Sequence, residues 1–165
     1  MAAERPMQYH IQEATFDLPE GSFIDRSVNV LVFGDPALPF SVVITRDYFD
    51  EGGSVEQLLR EQVKALSTSG KQFKELEFGT THLPLNAPAG TQPTSASASA
   101  AGGAPNAAGA YVTYTKQGHP IHQKIVLAEM PGRRALVVTG TYAGPWKEEH
   151  VAHWASVLHT LRLRA

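Results

Sequence analysis

Seven histidines are the residues of this 165-residue chain best suited to bind a metal ion. His150 and His153 stand three apart in a segment with helical spacing, and Glu149 lies four before His153. Such spacings share one helix face. A zinc site would need a third or fourth ligand from elsewhere. His119 and His122 are the nearest of the right kind, but nothing in their spacing demands it, and in strand phase His122 lies on the face opposite Gln123. These histidines read as solvated helix and turn residues, and no metal is expected. Asp47, Asp50 and Glu51 cluster as paired general acid–base carboxylates would. The same cluster fits a turn that places negative charge before a helix N-terminus. The chain has no cysteine, which removes thiol catalysis, disulfides and cysteine zinc sites together. It has neither a G-x-S-x-G elbow nor a phosphate-cradling glycine loop. We therefore expect neither an enzyme nor a cofactor.

A more telling signal is polar residues in apolar phase. Gln123 stands between Ile121 and Ile125 in a run that alternates like a strand. Gln62 sits in a helical stripe otherwise made of Val55, Leu58, Leu59, Val63 and Leu66. Both occupy places where the pattern calls for Leu or Val. A buried amide without a partner costs roughly 1–3 kcal/mol. Either another protein group satisfies these amides, or the apolar surface is a groove whose guest does. Ser41 joins them as a small polar residue in phase with Val43. The pattern leaves a core margin and a binding groove both open.

The elements that must position these residues follow from the periodicity. Tyr9–Leu18, Val28–Phe33, Ser41–Asp47, Phe73–Phe78, Ala110–Lys116, Ile121–Glu129 and Arg134–Tyr142 read as strands. Pro19-Glu20-Gly21, Gly34-Asp35-Pro36, Gly118-His119-Pro120 and Pro131-Gly132-Arg133 read as breaks and turns. Ser54 and Gln57 form a capping-box pattern at the start of a helix over Ser54–Ser69, with Gly70 as its stop. A second helix is expected over Lys147–Thr160, with Val151, Trp154, Val157, Leu158 and Leu161 inward. Asn86–Gly109 is mostly Ala, Ser, Gly, Thr and Pro, without charge or aromatic residue, and reads as a flexible insertion. The order β-β-β-α-β, then β-β-β-α, predicts one α+β domain over 1–165: a mainly antiparallel sheet flanked by helices.

Composition narrows the partners. At 42% hydrophobic content the chain can build a core. A net charge of −2 provides no basic field for nucleic acid. The N-terminus, Met1-Ala2-Ala3-Glu4-Arg5-Pro6, has no apolar signal region, and no run reaches the ~18 apolar residues of a membrane span. We expect a cytoplasmic protein that does not insert in a membrane.

Several of these segments resemble one family. Leu18-Pro19-Glu20-Gly21, Asp25-Arg26-Ser27-Val28-Asn29 and Ser41-Val42-Val43-Ile44-Thr45-Arg46-Asp47 are similar to the N-terminal half of the DcrB-like Eag proteins. These are effector-associated chaperones of bacterial type VI secretion. Gly118-His119-Pro120-Ile121-His122-Gln123-Lys124, Leu136-Val137-Val138-Thr139-Gly140-Thr141 and Leu161-Arg162-Leu163 continue the likeness. It spans the chain except Asn86–Gly109, and is carried by order and spacing. The resemblance implies a Mog1/PsbP-like fold and a cytoplasmic homodimer. It implies a partner: the N-terminal transmembrane segments of a PAAR- or Rhs-type toxin, kept soluble until loaded on the secretion spike. It also implies a client-binding groove at Ser41, Val43, Gln62 and Gln123, with Val28 as a further apolar position. The other readings of the chain are a periplasmic or lipoprotein-related binding domain of the same fold, and a small hydrolytic or metal-binding domain.

Overall fold

A computed structural model describes residues 8–10, 15–17, 27–80 and 106–161. Strands β1 (Gln8–His10) and β2 (Thr15–Asp17) form an antiparallel pair of their own. The single strand expected over Tyr9–Leu18 is therefore two short ones. The adjacent polar pair Gln12-Glu13 is where the alternation fails. The main sheet contains β3 (Asn29–Phe33), β4 (Phe40–Tyr48), β5 (Lys71–Thr80), β6 (Ala107–Lys116), β7 (His119–Met130) and β8 (Arg134–Tyr142). Its order is β3-β4-β8-β7-β6-β5, and every neighbouring pair is antiparallel. With helices α1 (Val55–Ser69) and α2 (Glu148–Thr160), the fold is α+β, as the strand and turn pattern predicts.

Residues directly opposite across antiparallel strands project on the same face. One face therefore carries Val112, Gln123, Thr141, Ser41 and Val32 in a single cross-strand row. Helix α1 lies on this face. It buries Val55, Leu58, Leu59 and Val63 against Ala108, Ala110 and Val112 of β6, Ile125 and Leu127 of β7, and Ala135 and Val137 of β8. Its start is the capping box the sequence predicts: Gln57 N–H donates to Ser54 Oγ at 3.2 Å, and Ser54 N–H to Gln57 Oε1 at 3.1 Å. Gly70 ends the helix with φ −95°, so left-handed backbone is not its role. A Cβ there would come within 2.8 Å of the Tyr114 side chain. Glycine is needed for that close approach.

Helix α2 covers the opposite face, over Phe40 and Val42 of β4, Val126 and Ala128 of β7, and Val138 and Tyr142 of β8. Trp154 is buried there, with Val157, Leu158 and Leu161 half-buried. Val151, expected inward, is 47% exposed, and the residue turned inward is His150, at 5%. The inward set is thus 150, 154, 157, 158 and 161, one helical stripe that Val151 just misses. His150 is flat against the Phe40 ring (centroids 5.0 Å, interplanar 8°) and 4.0 Å from the Tyr142 ring. The expectation of solvated histidines fails at this position, because two aromatic rings of the sheet offer an imidazole a stacking surface.

His150 also caps its helix: its Nδ1 accepts the Lys147 N–H at 3.1 Å. Burial lowers its pKa; Glu149 opposes the shift, and Lys147 and His153 reinforce it. The folded protein thus binds this proton less readily than the unfolded chain. The stability it contributes is complete above the ordinary histidine value of about 6.5 and is lost as pH falls below it. We expect the melting temperature to drop as pH is lowered from 7.5 to 5. The drop should be smaller in His150→Phe, which keeps a stacking ring but has nothing to protonate. Equal slopes in the two proteins would contradict this account.

Strand β6 begins at Ala107, inside the expected Asn86–Gly109 insertion, and Ala107 and Ala108 are core residues. Asn106 anchors this start: its carbonyl accepts the Glu129 N–H at 2.8 Å and its Nδ2 donates to Glu129 Oε2 at 2.6 Å. The rest of the insertion lies outside the described residues.

Candidate functional site

The two helices leave opposite corners of the sheet open. On the α1 face the helix packs over β6, β7 and the Ala135–Val137 end of β8. Among the described residues, neither helix covers the β3–β4 side or the far end of β8 on this face. Ser41, Val43 and Thr45 of β4 and Thr139 and Thr141 of β8 are half-buried there. Beyond them Val28, Val30 and Val32 are 59%, 57% and 58% exposed. One row across this floor reads Gln123, Thr141, Ser41, Val32, and the next reads Ile125, Thr139, Val43, Val30. Helix α1 forms the wall on one side. The floor is apolar at its edge and hydroxyl-rich along its middle.

All five residues singled out from the sequence meet this surface. Ser41 and Val43 are on the floor, Val28 continues the phase of Val30 and Val32, and Gln123 ends the hydroxyl row. Gln62 is on α1, and its Nε2 donates to Asp47 Oδ2 at 3.2 Å, tying the wall to β4. Gln123 Oε1 accepts the Tyr114 hydroxyl at 3.0 Å. Each amide is thus held at one end by a protein partner. Among the described residues, Gln62 Oε1 and Gln123 Nε2 take none, and neither atom is buried. The internal-partner half of the sequence alternative holds at one end of each glutamine, and the other end remains available. The two stand apart, Gln62 at Asp47 and Gln123 in the cross-strand row of Ser41, which is six residues from Asp47 along β4. At about 3.3 Å per residue the floor is roughly 20 Å long.

Sequence reasoning missed Thr139, Thr141 and Asp47. The threonines carried the same signal as the glutamines, hydroxyls in the apolar phase of β8. Asp47 was read with Asp50 and Glu51, as an acid–base carboxylate or as turn charge before a helix, and not as a partner of Gln62.

The sheet edges differ in kind. β5 carries Lys71, Lys74, Glu75 and Glu77 and two register irregularities, features that discourage further strand pairing. β3 is Asn-Val-Leu-Val-Phe, uncharged and regularly paired on one side only. Among the described residues its outer edge has no strand partner.

The opposite face has a cleft of about 340 Å³ between β5, β6, β7 and α2, bordered by Glu77, Gly79, Gly109, Tyr111, Lys124 and Trp154. Beside it Tyr111 Oη lies 2.7 Å from His122 Nδ1, and Lys124 Nζ lies 5.1 Å from the Tyr111 and Trp146 ring centres. His122 is indeed on the face opposite Gln123. Burial lowers the His122 pKa, while burial and then Glu77 raise that of Tyr111. Both shifts favour the neutral pair, the reverse of an activated phenol. His150 and His153 are on α2, His153 stacked 4.7 Å from Phe33. Among the described residues no three His, Asp or Glu converge as metal ligands.

The DcrB family profile matches residues 13–160. The chain belongs to the DcrB family. No curated protein matches it in sequence. This DcrB-family chain is similar in fold to a solved Pseudomonas aeruginosa protein, PA94, described as of unknown function and a proposed regulator. The two share 18% identity, with a TM-score of 0.71 over 97% of this chain and 98% of the other. At that identity the likeness concerns the fold. Among the described residues of the DcrB-family chain, no helix is long and apolar enough to cross a membrane.

Proposed function

We propose that this DcrB-family protein is a chaperone, not an enzyme. In this reading it shields the N-terminal transmembrane helices of a type VI secretion effector of the PAAR or Rhs type. It keeps that effector soluble in the cytoplasm until it is loaded on the secretion spike. The observation that carries the proposal is the floor that neither helix covers among the described residues, with Val28, Ser41, Val43, Gln62 and Gln123 on or beside it. A transmembrane helix exposes about 20 apolar residues. Covering it returns roughly 25 cal/mol per Å² of apolar area. The Ser, Thr and Gln groups resemble the small and polar residues through which helices contact one another in a bilayer. The uncharged β3 edge next to the floor suits a second copy of the chain, so the chaperone works as a homodimer that closes over its guest. No bound cofactor takes part.

Co-expression tests the proposal. With the wild-type protein, an effector's N-terminal segment is expected in the soluble fraction and to co-purify. Without it, the segment should pellet. A segment equally insoluble in both cases would refute the proposal.

A further inference from the structure

The end of the floor away from Gln123 is marked by a carboxylate. Ser41, Val43, Thr45 and Asp47 alternate along β4 on the α1 face, and Asp47 is last. Asp47 Oδ1 accepts the Tyr48 N–H at 2.8 Å and Oδ2 accepts the Gln62 amide at 3.2 Å. Both donors are neutral. Among the described residues no cationic side chain pairs with Asp47. Arg60, on the nearby helix, is committed to Glu75 at 2.8 Å and lies over the Phe78 ring. Arg134 follows at the same sheet end, but in the phase of the opposite face, where its Nε donates to the Pro131 carbonyl. Asp47 is half-buried, so a cation reaching it would meet less water screening than on an open surface. A carboxylate can take more hydrogen bonds than the two it has here.

The geometry suggests what would bring that cation. The roughly 20 Å from Ser41 to Asp47 accommodates about 13 residues of helix at 1.5 Å each. Apolar helices that span membranes carry Lys or Arg close beyond their ends. An apolar stretch of about 20 residues is about 30 Å long, so it fills the floor and overhangs one end; overhang at the Gln123 end brings the flank at the other end to Asp47. We propose that Asp47 receives the basic flank of the guest helix and so sets which end of the guest lies beside Gln62. This rests on the reading of the floor as a helix-binding surface. The guest is thereby narrowed from any apolar helix to one bordered by Lys or Arg.

The test compares three synthetic helices with one Leu/Ala core of 20 residues, flanked at one end by two Lys, two Gln or two Glu. Each is labelled at the other end, and binding is read by fluorescence anisotropy at low salt. We expect the wild-type protein to bind the Lys-flanked helix about tenfold more tightly than the Gln-flanked one, the scale of a charge-assisted contact. The Glu-flanked helix should bind weakest. Asp47→Asn, which still accepts from Gln62, should bind the Lys and Gln helices alike. Asp47→Lys should favour the Glu helix. Circular dichroism reports whether the variants fold, and the wild-type comparison needs no variant. Equal wild-type affinity for Lys- and Gln-flanked helices would overturn the Asp47 inference and leave the helix-binding reading standing. Failure of all three helices to bind, as when a second copy occupies the floor, would overturn both.

Discussion

Replacing Val43 by Asp is expected to abolish retention of an apolar client helix while leaving the protein folded. Val43 is at the centre of the floor, opposite Val30 on one side and Thr139 on the other. It is half-buried, and α1 does not cover it. In the free protein an aspartate here can turn its carboxylate to water, so the cost to folding should stay below about 1 kcal/mol. In the complex the same carboxylate lies under an apolar helix with no cation to offset its desolvation. An unpaired charge buried in this way costs several kcal/mol, a hundredfold or more in affinity. The measurement is co-purification with a client's N-terminal segment, with circular dichroism as the folding control. Val43→Ile, which stays apolar, should retain the client. Full retention by Val43→Asp would mean that the guest lies elsewhere. Unfolding would mean that Val43 belongs to the core.

Phe40→Ala should produce the largest stability loss of the single changes considered, about 3–5 kcal/mol. Phe40 is 1% exposed. Its ring is stacked on His150 at 5.0 Å, edge-on to Trp146 at 4.9 Å, and 6.1 Å from Phe33. Truncation removes the platform on which α2 docks and leaves a cavity between helix and sheet. Gly140 is a second sign of how tightly this layer is packed, since a Cβ there would come within 2.8 Å of both Trp146 and Trp154. Urea denaturation provides the reading. The control is Val151→Ala on the exposed side of α2, which should change stability by no more than about 0.5 kcal/mol. A Phe40→Ala loss under 1 kcal/mol would show that α2 does not depend on this contact.

Much of this was legible in the chain because regular elements announce themselves by period. Strand β8 and helix α1, with its capping box, are where alternation and the 3.6-residue stripe place them. Gln62 and Gln123 were legible for the same reason, as interruptions of a period. Other features were not, each for a physical cause. Ala107 and Ala108 bury so little area that composition reads them as linker, yet their neighbours in β5 and β7 hold them in the core. His150 took the inward place of Val151 because Phe40, distant in sequence, and Tyr142, at the end of the preceding strand, both pack against it. Asp47 read as turn or acid–base chemistry because its relation to Gln62 exists only once α1 packs on the sheet. The family resemblance anticipated the DcrB membership. The proposed link to secretion effectors comes from that same resemblance, and the floor's chemistry is compatible with it.

The most direct measurement places a photoreactive amino acid at position 43, on the floor, and in a second protein at position 151, on the exposed side of α2 across the sheet. Each is co-expressed with an effector's N-terminal transmembrane segment and irradiated. The account predicts a chaperone–client adduct from position 43 and none from position 151. An adduct from position 151 alone would contradict it.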